Sequence, residues 1–285
     1  MRKPLVALLL AVMVPTLAWA ADTAPPRVVA LGGDITETVY ALDAQQALVG
    51  VDSTSEWPAA AKQLPDVGYV RQLNAEGILA LRPTAVIATH DAGPPAVIAQ
   101  LRESGVALTV IPVSRTPEGV LAKVRTIGHL LGRDAQAVKL DARLAQTYAE
   151  LRRNVAAMPR HPKVVFLLSA GAGNLLAAGK DTAAHDAIAL AGGDNAIAAY
   201  SGYKPMSPEA LVVAAPDAIV VMSERSDGVG DVAQVLALPG VAQTPAGAQR
   251  NILFVDGQAL LGFGPRNADS ELALQHALAV LKPAP

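Results

Sequence analysis

The 285-residue chain contains no cysteine. It can form no disulfide, and it has no thiol to carry a lipid behind an export signal. Aromatic residues make up only 4%. A nucleic-acid-binding surface is also missing, because 23 Lys and Arg stand against 25 Asp and Glu and do not cluster. No G-x-x-x-x-G-K-[ST] or G-x-G-x-x-G occurs, so Gly32-Gly33, Gly171–Gly173 and Gly192-Gly193 read as turning points at strand ends near a ligand cleft. The five histidines (His90, His129, His161, His185 and His276) lack metal-site spacing. No G-x-S-x-G is present, and Ser53, Ser55, Ser169 and Ser223 have no matching His–Asp set, which argues against a hydrolase.

At the N-terminus, Arg2 and Lys3 precede an apolar run from Leu5 to Leu17, then Ala18-Trp19-Ala20. This pattern predicts a cleavable signal peptide over residues 1–20, and no other stretch is apolar enough to span a bilayer. The expected product is a soluble periplasmic protein without a lipid anchor. Roughly 265 residues then remain, too many for one ordinary core and enough for two domains. Abundant Ala, Val and Leu fit buried parallel strands under helices.

Strand and helix patterns alternate from Arg27 to Pro112, as in a mostly parallel sheet. A helix is expected over Pro117–Leu131, capped by Thr116 and ended by Gly132. Asp134–Met158 then runs without Gly or Pro, with Val138, Leu140, Leu144, Tyr148, Leu151 and Val155 at helical spacing. Such a helix would extend roughly 37 Å, enough to connect two domains. After it the early pattern returns. Arg27–Gly33 is echoed by Lys163–Ser169, Asn74–Ile87 by Ser207–Val220, and Leu108–Val113 by Ile252–Val255. The expected fold is α/β: two Rossmann-like lobes with central, mostly parallel sheets, joined by a single long α-helix, with a ligand cleft between them. The lobes are drawn at 21–132 and 160–285, with the connector at 133–159.

Gly68–Pro83, GYVRQLNAEGILALRP, carries the chemistry. In an extended segment Tyr69 and Arg71 project from one face, placing a phenol beside a permanent cation. A nearby cation favours phenolate, a hard ligand suited to ferric iron. The alternative is a half-buried loop tyrosine with a wet hydroxyl. Tyr69 and Arg71 have no evident copy in the second half, whereas Glu76, opening a short helix, recurs at Glu209. The helix dipole alone would favour an acid there. A paired docking role for both acids is the other reading.

The signal peptide, two lobes, connecting helix and paired Glu76/Glu209 segments resemble the periplasmic binding proteins that deliver siderophores, cobalamin or heme to ABC importers. Tyr69–Gly77, Gly202-Tyr203-Lys204-Pro205-Met206-Ser207 and Leu260–Arg266 resemble the heme-binding branch of that family. The resemblance covers essentially the whole mature chain. It implies that Tyr69 is the axial ligand to ferric heme, the transported cargo, with Arg71 supporting it. It also implies that Arg225 approaches from the second lobe, although Arg225 could equally pair with Glu224 or Asp227 on the surface. His90, where a strand opens toward the cleft, is a further heme-supporting candidate or simply a loop histidine. Some relatives use a histidine for a second stacked heme; here Ala170 occupies that place, which speaks against histidine ligation. Glu76 and Glu209 would meet arginines of an inner-membrane ABC permease dimer driven by its ATPase, and an outer-membrane heme receptor would be the upstream donor. Leu260–Arg266 resembles a loop that closes the cleft. The rival readings are cobalamin or a ferric siderophore as cargo, and a heme-degrading enzyme.

Overall fold

The computed structural model describes residues 26–169, 175–223 and 230–281. The first half begins with β1 (Val28–Leu31), α1 (Gly33–Ala41) and β2 (Leu48–Val51). It continues through α2 (Ala75–Ala80), β3 (Ala85–Thr89), α3 (Pro95–Glu103) and β4 (Ala107–Ile111). The four strands form one sheet in the order β2-β1-β3-β4, all parallel. Their C-terminal ends therefore emerge along one edge, where open α/β sheets place their ligand-facing loops.

A helical hairpin follows, α4 (Pro117–Leu130) and α5 (Asp134–Ala156). Thr116 caps α4 by accepting from the Gly119 N–H at 3.1 Å. Gly132, at φ 63, makes the turn into α5. Leu140, Leu144, Tyr148 and Leu151 are buried along α5, but Val138 is 68% exposed. Its neighbour Ala137 takes the buried place instead, fitting against Gly128 of α4 where a longer side chain would collide.

The second half comprises β5 (Lys163–Ser169), β6 (Leu175–Ala178), α6 (Ala183–Leu190), β7 (Asp194–Asn195) and β8 (Tyr203–Met206). It ends with α7 (Pro208–Ala214), β9 (Ala218–Met222), α8 (Val232–Leu236), α9 (Pro245–Ala248), β10 (Ile252–Val255), α10 (Gly257–Leu261) and α11 (Asn267–Ala279). Its sheet runs β10-β9-β5-β6-β8, with β7 beside β5. β5, β9 and β10 are parallel, but β6 is antiparallel to both β5 and β8. The two α/β lobes thus share a mostly parallel centre, and α5 is the long helix between them.

The internal repeat extends to the pairing register. Val28 faces Ala85 and Val164 faces Ala218; Val86 faces Leu108 and Ile219 faces Ile252. Equivalent residues Arg82 and Ala215 both adopt positive φ, 48 and 45, and each precedes a proline. One expectation fails. Gly192-Gly193 follow α6 rather than a strand, and Gly192 lies against Met158 and Val155 at the C-terminal end of α5.

The α5–α11 contact holds a buried polar cluster. The Tyr148 hydroxyl donates to Asn267 Oδ1 at 2.7 Å, while Asn267 Nδ2 donates to the Leu260 carbonyl at 2.7 Å and Glu271 Oε1 at 3.3 Å. Burial pushes the Glu271 carboxyl well above its ordinary pKa, against the opposing effect of the Asn267 hydrogen bond. Glu271 Oε2 and Gln275 Oε1 are buried without a partner. The two residues sit one helical turn apart, so a proton on Glu271 would supply the donor both oxygens lack. A carboxyl with a raised folded pKa stabilises fully below its unfolded pKa, about 4.3, and loses that contribution as pH rises through the folded value. Glu271→Gln should therefore make the protein more stable than wild type at pH 7, with the difference shrinking toward pH 4 in urea denaturation.

Candidate ligand-binding site

Residues 68–74 form a turn rather than the expected extended segment. The Gln72 N–H donates to the Tyr69 carbonyl at 2.7 Å. The turn is stitched to the loop after β3 by the Gly93 N–H on the Val70 carbonyl and the Leu73 N–H on the Gly93 carbonyl. Val70 and Leu73 point into the core at 3% and 5% exposure, which turns Tyr69 outward at 40%. Arg71 then folds back: one guanidinium nitrogen donates to the Tyr69 hydroxyl and another to Asp91. Its carbon lies 5.6 Å from the Tyr69 ring centroid. Partial burial works against the Arg71 charge, but the Tyr69 hydrogen bond and the Asp91 carboxylate raise its pKa further. The phenol–guanidinium pair is therefore real, and Asp91, which sequence reasoning missed, anchors it. His90 is exposed beside Asp91, at the end of β3, and makes no hydrogen bond to the pair. Arg225 and Ala170 lie outside the described residues, as does the expected signal segment.

Glu76 and Glu209 are both exposed in the first turn of equivalent helices. Asn74 caps α2 through the Glu76 N–H, and Ser207 caps α7 through the Ala210 N–H. The backbone at 209 and the Ser207 hydroxyl hold the Glu209 carboxyl below its ordinary range.

Above the strand ends, Asp52 is 1% exposed. It accepts from the Gly32 N–H at 2.8 Å, the Ser55 hydroxyl at 2.9 Å, and the Thr54 N–H and hydroxyl at 3.0 and 2.6 Å. Gly33 is held where a Cβ would lie 2.4 Å from Gln258 Nε2 and 2.5 Å from the Thr54 carbonyl. The Thr54 carbonyl, in the same half, is the backbone contact that demands glycine, and the Gln258 side chain reaches it from the second half.

The halves are further joined through Arg266, in the stretch expected to close the cleft. Its Nε donates to Glu37 Oε2 at 3.1 Å, its two terminal nitrogens reach Glu37 and Asp256, and its carbon lies 4.7 Å from the Trp57 ring centroid. Lys123 pairs with Asp34 and donates to the Phe263 carbonyl at 3.1 Å. Phe263, at φ 49, is buried in the core of the first half. This stretch is therefore part of the lobe junction rather than a free flap. A shallow recess of about 330 Å³ beside it is lined by Trp57, Arg143 and Arg266 and lies apart from Tyr69. Among the described residues no group of three His, Cys, Asp or Glu could hold a metal ion, and no helix is long and apolar enough to cross a membrane.

Residues 28–259 match the model of the periplasmic binding protein family. The chain belongs to that family, whose members bind and carry a ligand rather than transform it. A cobalamin-binding protein of Halobacterium salinarum is 31% identical over 86% of this chain and 67% of its own length. Among solved structures, the periplasmic heme-binding protein BhuT in complex with two hemes is 38% identical, with a TM-score of 0.84 over 90% of this chain and 98% of its own. The periplasmic heme-binding protein RhuT from Roseiflexus sp. RS-1, in apo form, is 39% identical, with a TM-score of 0.83 over the same shares.

The junction makes a stability prediction. Burial raises the Glu37 carboxyl pKa while the Arg266 hydrogen bond and charge lower it, and the Glu37 side chain is 3% exposed. Arg266→Ala strands that carboxylate and should cost about 3 kcal/mol in urea denaturation. Adding Glu37→Gln should recover part of the loss.

Proposed function

We propose that this protein captures ferric heme in the cleft between its lobes and delivers it to an inner-membrane ABC permease dimer. Tyr69 is the axial ligand, as phenolate, and Arg71, held by Asp91, lowers the cost of that charge. The observation that carries the reading is the outward-turned Tyr69, 40% exposed, with the Arg71 guanidinium donating to its hydroxyl. The heme-binding neighbours support it. The family's periplasmic setting and the N-terminal segment 1–20 support export to the periplasm, where an outer-membrane receptor would supply the heme. Heme is cargo here, and no bond within it is made or broken. His90 and Arg225 are retained as heme-supporting candidates. Titrating ferric heme into the purified protein should give a saturable tyrosinate-type absorbance change. Tyr69→Ala should abolish that signature and weaken binding roughly 100-fold, about 2.8 kcal/mol. An unchanged spectrum would remove Tyr69 as the ligand.

A second reading, cobalamin as cargo, is favoured by the 31% identity to a cobalamin-binding protein. Saturable cyanocobalamin binding without heme binding would select it.

Glu76 and Glu209 dock the permease. Their equivalence in the repeat and shared exposure are the support, and opposite charges on the permease would steer the encounter. Reversing both to lysine should abolish uptake in cells while heme titration of the purified protein stays unchanged. Preserved uptake would refute the docking role.

A further inference from the structure

Across the cleft, Tyr203 corresponds to Tyr69. Each tyrosine follows a glycine of positive φ, Gly68 at 95 and Gly202 at 81, and each precedes a capped short helix carrying the paired glutamate. The second half therefore does contain a copy of the Tyr69 position, shifted by one residue and placed on β8. Its ring packs on the core of the second sheet. Burial raises the Tyr203 phenol pKa, while hydrogen bonding with the Ala184 backbone and Thr182 and the charges of Arg115 and Arg71 oppose that rise. Those bonds set Tyr203 at the first turn of α6, the helix whose Asp186 pairs with Arg115.

Arg115 follows β4, beside the β3 end that holds the Arg71 anchor, and it spans to the other half. Its Nη1 donates to the Asp181 carbonyl at 3.5 Å and to Asp186 Oδ2 at 3.3 Å, with both side chains of the ion pair 34% exposed. Unstrained charge-assisted bonds of this kind are about 2.7–2.9 Å. This one is long, and among the described residues Nε and Nη2 make no hydrogen bond. The guanidinium keeps a face to offer, and a planar fork suits a carboxylate.

We propose that Arg115, with the Tyr203 hydroxyl beside it, forms a carboxylate-binding subsite that takes a propionate of heme while Tyr69 holds the iron. The inference rests on the heme reading above. A phenol whose oxygen accepts hydrogen bonds still has its own proton to give, so Tyr203 can donate to the same carboxylate that Arg115 grips. Asp186 occupies the cation until the ligand arrives. The subsite discriminates between cargoes, since heme presents two acids at its rim whereas the corrin rim of cobalamin presents amides.

The test compares ferric heme with its dimethyl ester by absorbance titration. Wild type should bind heme roughly tenfold tighter than the ester. Arg115→Gln should close that gap by weakening heme alone, with the Tyr69 absorbance signature intact, and Tyr203→Phe should close it in part. Asp186→Asn should keep or widen the gap, because it frees Arg115. If Arg115→Gln and Asp186→Asn instead weaken heme and its ester alike, Arg115 is only a strap between the halves and the subsite is overturned. It is equally overturned if wild type binds heme through Tyr69 without preferring it to the ester. Failure of wild type to bind either pigment removes the heme reading and this inference together.

Discussion

The junction between the halves depends on Arg266. One guanidinium holds Glu37 of the first half, Asp256 of the second and the Trp57 ring. A carboxylate as buried as Glu37 tolerates few other positions for its partner, because an unpaired buried charge is costly. The relative placement of the halves is correspondingly fixed. Lys123 on Asp34 and the Phe263 carbonyl repeats the arrangement one element away. With Phe263 and Ala268 inside the first core, the halves share apolar packing and do not hang on α5 alone. The facing walls of the cleft inherit their spacing from this region.

On that frame the repeat supplies symmetry, and its departures distinguish the two halves. The cores use one register twice, and α2 and α7 are each followed by a left-handed residue, Arg82 or Ala215, before a proline. The exposed glutamates Glu76 and Glu209 belong to this symmetric part. The halves differ beside the central strand, where β2 is parallel but β6 turns back and β8 returns along it. That antiparallel pair carries Tyr203 to the start of α6, while the equivalent Tyr69 stays in a turn beside β3. Two related phenols are thereby given different surroundings: Arg71, anchored by Asp91, on one side, and Thr182 and Ala184 on the other.

How far the sequence reached can be judged from particular residues. Strand runs such as Arg27–Leu31 and the breaker-free Asp134–Met158 stretch were legible because hydrophobic period and Gly/Pro punctuation are local properties. So were the Thr116 cap and the paired glutamates. Val138 misled, since spacing alone cannot say which flank of an apolar stripe meets a neighbour. The reversed strand β6 was hidden because strand direction depends on pairing across the sheet. Tyr69 beside Arg71 was read rightly, although a turn rather than an extended strand brings them together.

Residue order by itself determined the element types, the duplication and the family, because periodicity, caps and repeated segments are written along the chain. Tertiary structure alone decided that Asp91 steadies Arg71, that Arg266 joins Glu37 to Asp256, and that Arg115 reaches α6. The first pair is 20 residues apart, the Arg266–Glu37 pair 229, and Arg115 and Asp186 71. No local pattern encodes a partner at such separations. Folding brings the charges together, and burial then makes their pairing obligatory.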